Sequence, residues 1–155
     1  MFVCHFRLRK RLLAAGAAVL ALLIVLVCTL PGCRREEGAP IHVATEEQRL
    51  AYLESLGWAV DANPVETLDL RLPEQLEDEW KDYAQLQSHQ DLPFAAFAGQ
   101  SVRRYTYTVT NYPGIETGVQ ANLFVCGDQL IGGDIISLAE NGFQTGLAYP
   151  QQGKT

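Results

Sequence analysis

The strongest feature of the hydropathy pattern is an uninterrupted apolar run near the N-terminus, from Leu12 to Leu30. Its nineteen residues carry no charge, and as a helix they would be about 28 Å long, close to the ~30 Å hydrocarbon core of a bilayer. A helix in a globular core would show a polar face, which this run lacks. The pattern therefore predicts a transmembrane helix or an export signal at residues 12–30.

The charges beside this run predict its orientation. Four basic residues precede it, namely Arg7, Arg9, Lys10 and Arg11. Because a Lys/Arg bias next to a first span keeps that side in the cytoplasm, we expect residues 1–11 to form a basic cytoplasmic N-region. Everything after the span then lies outside the cell membrane.

The end of the apolar run leaves three forms of the exported chain open. Its length favours an uncleaved anchor, because the apolar part of a cleaved signal usually has only ~7–15 residues. However, Leu30, Gly32 and Cys33 also resemble the lipobox of bacterial lipoproteins, which would make Cys33 a lipidation site, although Pro31 fits that motif poorly. Free secretion is the third form. All three forms export the rest of the chain.

A short tether and one folded domain are predicted after the apolar run. Residues 31–44 mix charge, glycine and proline without periodicity, so we expect a tether there, followed by a domain over residues 45–149 and a flexible tail over 150–155. Thr45 and Gln48 have the spacing of a capping box, and a helix is expected from Glu46 to Leu56. Gly57 and Trp58 then match a Schellman ending, in which a left-handed residue precedes an apolar one.

The next two elements are a strand and an acidic helix. Leucines alternate with polar residues from Val65 to Leu72, which is the period of a half-buried strand. Pro73 and the acidic residues after it favour a helix start, and a second helix is expected over Glu74–Gln87. Its buried stripe would contain Leu76, Trp80, Tyr83 and either Leu86 or Gln87. Residues 91–100 lack a sustained period and are interpreted as a packed loop or a short turn.

The C-terminal half reads as a series of strands joined by tight turns. Strands are expected at Val102–Asn111, Val119–Cys126 and Gln129–Ser137, with a last short one at Phe143–Leu147. Adjacent strands with tight turns favour an antiparallel sheet. The predicted fold class is therefore α+β, a small antiparallel sheet of four to five strands with both helices packed on one face.

Composition and charge narrow the function classes. The chain has 155 residues and a net charge of −6, which leaves room for one small domain. The N-region carries four positive charges, whereas from Arg34 onward there are 8 basic and 18 acidic residues. A nucleic-acid partner is not expected, because neutralising phosphates needs a basic face on the folded part.

Motifs for catalysis, cofactor binding or metal binding are not found in the sequence. No nucleophile elbow, zinc signature, dinucleotide fingerprint or phosphate loop occurs, and we expect neither enzymatic activity nor a cofactor. His89 beside Asp91 is interpreted as a polar helix end rather than a general base. A cation site at Asp128, Asp134 and Glu140 is weaker than an interpretation of Asp128 as a turn residue and of Asp134 as a partner for backbone N–H groups.

Arg103, Tyr105 and Tyr107 form the best candidate for an interaction surface. They share one side of a predicted strand, and aromatic side chains with arginine are enriched at the centres of interfaces. The expected partner is an envelope protein or a small ligand. The competing interpretation places the tyrosines in the core, under the second helix.

The exported part also resembles a known family. The carrying residues extend from Glu46 to Leu147, and the most specific stretches are Gly57-Trp58 and Ile131-Gly132-Gly133-Asp134-Ile135. They are similar to small exported domains of Gram-positive bacteria that are catalogued as a domain of unknown function. The resemblance implies an N-terminal membrane span or lipid attachment site, and it implies no activity.

The function predicted from these features is a membrane-anchored extracytoplasmic domain that binds a protein or a small ligand at the cell envelope. A regulatory single-span subunit of a membrane complex is the alternative. Small residues cluster from Ala14 to Ala18, where they would allow another membrane helix to approach closely.

Overall fold

The computed structural model describes residues 39–151. The predicted span at residues 12–30, the lipobox with Cys33 and the C-terminal end of the predicted tail therefore lie outside the described residues. Within residues 39–151, no helix is long and apolar enough to cross a membrane.

Two α-helices and five strands make up the described domain, and their order confirms an α+β fold. The elements in chain order are helix α1 (Glu46–Ser55), strand β1 (Glu66–Arg71), helix α2 (Glu79–Ser88), a 3-10 turn (Phe94–Phe97), and strands β2 (Ser101–Val109), β3 (Val119–Cys126), β4 (Gln129–Ser137) and β5 (Gln144–Thr145). All neighbouring strands pair antiparallel in the order β1-β2-β3-β4-β5.

Helix α1 begins and ends as its sequence predicts. The Thr45 side chain accepts a hydrogen bond from the Gln48 N–H, and the Gln48 side chain accepts one from the Thr45 N–H. At the other end, Gly57 has a φ of +97°. The Trp58 N–H donates to the Leu53 carbonyl at 3.0 Å, which completes the Schellman ending. Both predicted caps are confirmed because their signals are local.

The β3–β4 hairpin also follows its sequence signals. Gly127 at the turn has a φ of +62°, the conformation that the first position of a type II′ turn requires. The register shifts between Phe124 and Val125, so that Ile131 on β4 is an extra residue without a partner on β3. The hairpin therefore contains a β-bulge next to Gly132.

The two helices lie on opposite faces of the sheet, so the prediction that both pack on one face was wrong. Arg49 of α1 bonds to Tyr107, and Tyr107 pairs with Ala121. Tyr83 of α2 bonds to Asp134, which pairs with the next residue of β3, Asn122. Successive residues of a strand point to opposite faces, so the helices cover different sides.

Each face of the sheet has its own apolar core, and one helix covers each of them. The α1 side contains Leu53, Trp58, Ala121, Leu123 and Val125, among others. The α2 side contains Leu72, Phe94, Val102, Phe124 and Ile131. Because β3 is buried on both sides, its apolar residues are consecutive rather than alternating. The run from Leu123 to Val125 was the sequence signal for a second covered face.

Helix α2 starts five residues later than predicted. The residues before it bend, and Asp78 at the N-cap has a φ of +49° and a ψ of −125° with no side-chain cap. The acidic residues were therefore a poor guide to the first turn. Leu76, Trp80 and Tyr83 pack partly on the α2-side core as expected. Of the two alternatives for the last position of the stripe, Gln87 is the one that is fully buried.

The domain begins before Thr45, so the predicted tether is shorter than expected. Val43 is buried, and its N–H donates to the Asp128 carbonyl at 2.8 Å. The Leu130 N–H donates to the Ile41 carbonyl at 2.8 Å. His42 pairs with Gln129 in an isolated bridge and bonds to the Asp128 carboxylate at 2.8 Å. Residues 41–43 thus extend the sheet beside the β3–β4 hairpin.

Candidate functional site

An open groove lies on the α1 side of the sheet, and we call it the β1–β3 groove. Its volume is about 530 Å³. The residues lining it come from β1, β2, β3 and the hairpin turn, and they are Asp69, Leu70, Arg71, Ser101, Val102, Arg103, Tyr105, Val125 and Gly127. Two of the three residues predicted to form an interaction surface, Arg103 and Tyr105, are among them.

The cross-strand register brings the charged groups of the groove together. Asp69 on β1 is directly opposite Arg103, which is in turn opposite Val125 on β3. Arg103 donates from Nε and a terminal nitrogen to the two carboxylate oxygens of Asp69, at 2.5 and 3.0 Å. This bidentate geometry holds the guanidinium plane in place. It also lowers the pKa of Asp69, because the arginine favours the charged carboxylate.

Tyr105 is held from one side by a buried arginine. The Arg49 guanidinium carbon lies 3.7 Å from the centroid of the Tyr105 ring, a cation–π contact. Arg49 is only 5% exposed, and it donates to the carbonyls of Val43 and Ala44 at 3.2 and 2.9 Å. Tyr105 is therefore a half-buried, fixed side chain whose ring forms part of the groove.

Tyr107 does not belong to this surface, so that part of the predicted interaction site was wrong. Its side chain is fully buried in the α1-side core, and its hydroxyl accepts a hydrogen bond from Arg49 at 2.9 Å. The physical reason is its position opposite Ala121 near the middle of the sheet, under α1. The competing interpretation of a core tyrosine was right for Tyr107, although α1 covers it rather than the second helix.

Arg71 adds a second arginine to the groove, and sequence reasoning missed it. It lies at the end of β1, opposite Ser101, and its side chain is 68% exposed. The contact with Glu74 at 3.8 Å is long, and Glu74 is itself 83% exposed, so this pair contributes little. The pairing of β1 with β2 could have revealed Arg71, because it places Arg71, Asp69 and Arg103 on one face.

A separate polar cluster lies on the α2 side, around the buried carboxylate of Asp134. Tyr83 donates from its hydroxyl at 3.3 Å and Gln144 from its side-chain amide at 2.6 Å. Burial raises the pKa of Asp134, while these hydrogen bonds oppose that rise. The pKa of Tyr83 is raised too, first by burial and then by the neighbouring carboxylate. The carboxylate thus binds side-chain donors, not the backbone N–H groups that were expected.

The other residues considered for metal binding or reactivity make ordinary structural contacts. Asp128 pairs with His42, and both side chains are more than half exposed. In the part of the chain that the structure covers, no group of three His, Cys, Asp or Glu side chains is close enough to hold a metal ion. Cys126 is a half-buried free thiol whose Sγ lies 3.6 Å from the Ser101 carbonyl oxygen.

The groove combines two arginines and a tyrosine with an open shape. Arginine presents a planar set of donors that matches carboxylate or phosphate oxygens, and a tyrosine ring supplies apolar contact area with a polar tip. In a domain with a large excess of acidic residues, such a groove is suited to a ligand that carries an anionic group.

Comparisons with known proteins give no relative from which a function could be transferred. No protein-family model, curated protein or solved structure matches the chain. The resemblance to exported domains of Gram-positive bacteria stays a prediction.

Proposed function

We propose that this protein is a membrane-anchored extracytoplasmic binding domain, and that the β1–β3 groove is where its partner binds. The anchor is the apolar run at residues 12–30 or a lipid on Cys33, and the four basic residues before that run favour an outside location for the domain. The partner is an envelope protein or a small ligand that presents an anionic group to Arg71 and Arg103.

One observation carries this proposal. Arg71, Arg103 and Tyr105, from two paired strands, line the same open groove of about 530 Å³. Two of these side chains are already fixed in place, Arg103 by Asp69 and Tyr105 by Arg49. Fixed arginine and aromatic side chains lose little conformational entropy when a ligand binds. They are also the residue types that contribute most to binding at interfaces.

Crosslinking in living cells tests the proposal. The tagged full-length protein and its Arg103→Ala variant are crosslinked, purified from solubilised membranes and compared for what co-purifies. Lys81→Ala is the matched control, because Lys81 is an exposed basic residue on α2, away from the groove. We expect one dominant partner whose yield falls about fivefold in Arg103→Ala and is unchanged in Lys81→Ala.

Two results would contradict the proposal. One is a partner recovered equally from the wild type and Arg103→Ala, which would place binding elsewhere on the protein. The other is the absence of any partner above a control that carries only residues 1–38. The intact mass of the purified protein also separates the forms of the anchor, because a lipid on Cys33 requires cleavage before that residue, whereas a retained span leaves the full mass.

A further inference from the structure

The outer edge of β1 has unpaired backbone groups. In an antiparallel ladder, every second residue bonds to the same neighbouring strand. The Leu72 N–H donates to the Gln100 carbonyl at 2.9 Å, and these two residues are the next pair after Arg71 and Ser101 in the β1–β2 register. In this phase, the backbone N–H and C=O groups of Leu68 and Leu70 point toward β2. The N–H and C=O groups of the alternate β1 residues point away from the sheet. Those residues are Thr67, Asp69 and Arg71.

No element covers this edge within residues 39–151. β1 is the terminal strand of the sheet, and five of its six residues are exposed. β5, at the opposite edge, has only two residues. An exposed strand with unpaired backbone groups is a template for another extended segment.

The two faces of the β1 edge differ in chemistry. On the α2 side, Leu68 is 42% exposed, and it is one of three exposed large apolar residues in the described domain. On the α1 side, Arg71 and the Asp69–Arg103 pair lead into the β1–β3 groove. A strand added here would therefore meet an apolar surface on one face and the exposed arginine Arg71 on the other.

A second copy of this chain fits the edge poorly. If the α1 sides of both copies are to lie on the same side of a shared sheet, odd-numbered residues of β1 must pair with odd-numbered ones and even-numbered with even-numbered ones. The two longest such antiparallel registers overlap over five residues. One sets Asp69 against Asp69, and the other sets Arg71 against Val65, so neither pairs opposite charges. The register that sets Asp69 of each copy against Arg71 of the other overlaps over only three strand residues. The arginine favours a different occupant, with an acidic residue at that position.

We propose that the edge of β1 binds an extended peptide segment of an envelope protein, which adds to the sheet as a sixth strand. The segment has apolar residues on the Leu68 side and an acidic residue opposite Arg71. This inference rests on the proposed function and deepens it, because it assigns the partner of the groove to a class. Backbone pairing supplies affinity in this mode, and alternate side chains supply specificity.

A designed peptide series tests strand addition on the full-length protein in detergent. The probe is an acetylated and amidated peptide, Val-Glu-Val-Thr-Val-Thr-Val, which in an antiparallel register places glutamate opposite Arg71 and its two threonines opposite Asp69 and Thr67. One matched probe has lysine in place of glutamate, and another is N-methylated at the glutamate and both threonines, which removes their N–H donors. Hydrogen exchange at the backbone amides and direct titration are the readouts.

The expected result is specific to the outward-facing amides. Exchange at Thr67, Asp69 and Arg71 slows when the glutamate probe is added, and the N-methylated probe has no such effect. The glutamate probe binds about tenfold more tightly than the lysine probe. Arg71→Glu reverses that preference, whereas Lys81→Glu leaves it unchanged.

Three results would overturn the inference. The first is unchanged exchange at the three outward amides in the presence of the glutamate probe. The second is equal binding of the N-methylated probe. If either occurs while a crosslinked partner is still lost in Arg103→Ala, the groove function stands and strand addition fails. The third is a peptide-free protein that is dimeric by light scattering and becomes monomeric in Thr67→Pro, with circular dichroism showing a folded variant; the edge then belongs to a second copy.

Discussion

Arg49 on α1 donates a hydrogen bond from Nε to the hydroxyl oxygen of Tyr107 on β2, at 2.9 Å. Arg49 is 5% exposed and Tyr107 fully buried, so the bond connects a helix to the sheet across the interior. Burying a guanidinium is costly unless its donors are satisfied. The Tyr107 hydroxyl, two carbonyls and the Tyr105 ring satisfy it. The same arginine thus stabilises the core and fixes a groove residue.

Tyr107→Phe should destabilise the domain. It removes the acceptor for Arg49 Nε and leaves a buried charged donor unsatisfied, which costs about 1–3 kcal/mol. Urea unfolding of the variant and the wild type measures the difference. Tyr112→Phe, at a half-buried tyrosine stacked on Trp58, is the control and should change stability by less than about 0.5 kcal/mol. Equal stability of Tyr107→Phe and the wild type would show that the bond does not support the buried arginine.

The features predicted correctly from the sequence are those with local causes. The ends of α1 depend on Thr45, Gln48 and Gly57, which contact residues nearby in the chain. The β3–β4 hairpin likewise depends on Gly127. Such signals can be read without knowing what the element packs against.

The features that were predicted wrongly or missed depend on contacts between residues far apart in the sequence. Arg49 occupies a position of α1 that a hydropathy pattern assigns to solvent, and its burial is explained by Tyr105 and Tyr107, more than fifty residues away. The placement of the two helices on opposite faces was missed for the same reason. The groove was predicted only through Arg103 and Tyr105, because Asp69 and Arg71 join it through strand pairing.

Gly133→Ala should destabilise the domain more than Gly132→Ala. A Cβ at Gly133 would lie 2.6 Å from Leu147 Cδ1 and 2.8 Å from the Asn122 carbonyl oxygen, which is part of the paired backbone. A Cβ at Gly132 would lie 2.8 Å from Phe94 Cδ2, a side-chain atom. Overpacking of this kind costs about 1–3 kcal/mol.

Thermal or urea unfolding of both glycine variants measures which of them loses more stability. The Asn122 carbonyl, which a Cβ at Gly133 would contact, cannot move without breaking the β3–β4 pairing, whereas the Phe94 ring can shift. We therefore expect the Gly133 variant at the upper end of the range and the Gly132 variant at the lower end. The reverse order would mean that the side chains around Phe94 are more rigid than the sheet at Gly133.

Asp134→Asn should alter how stability depends on pH. Burial raises the pKa of Asp134 above its usual range, so its contribution to stability is fully present below the unfolded pKa. That contribution is lost as the pH rises through the higher folded pKa. Relative to Asp134→Asn, the wild type should therefore gain stability as the pH falls from 7 toward about 4.

Urea unfolding of both proteins at pH 7 and pH 4.5 checks this sign. Taking the difference between the two proteins cancels the carboxylates they share, including Asp69, whose lowered pKa acts in the opposite direction. A difference that does not change with pH would mean that Asp134 has the same pKa in the folded protein as in the unfolded chain. A difference that changes the other way would mean that its pKa is lowered in the folded protein.

Thr45→Ala should weaken the N-terminus of α1. The Thr45 side chain accepts from the Gln48 N–H at 3.3 Å, and removal of such a cap typically costs about 1 kcal/mol. Ser55→Ala is a control near the other end of α1, where the hydroxyl donates to the Tyr52 carbonyl of the same helix. Urea unfolding that ranks the two variants in the opposite order would contradict the role of the capping box.

Site-specific photocrosslinking in living cells tests most directly whether the β1–β3 groove binds the partner. A benzophenone amino acid replaces Ser101, an exposed residue lining the groove, or Glu140, an exposed residue outside it. We predict one discrete adduct from position 101, weakened by Arg103→Ala, and none from position 140. Adducts of equal yield from both positions, or an adduct from position 140 alone, would contradict the groove as the binding site.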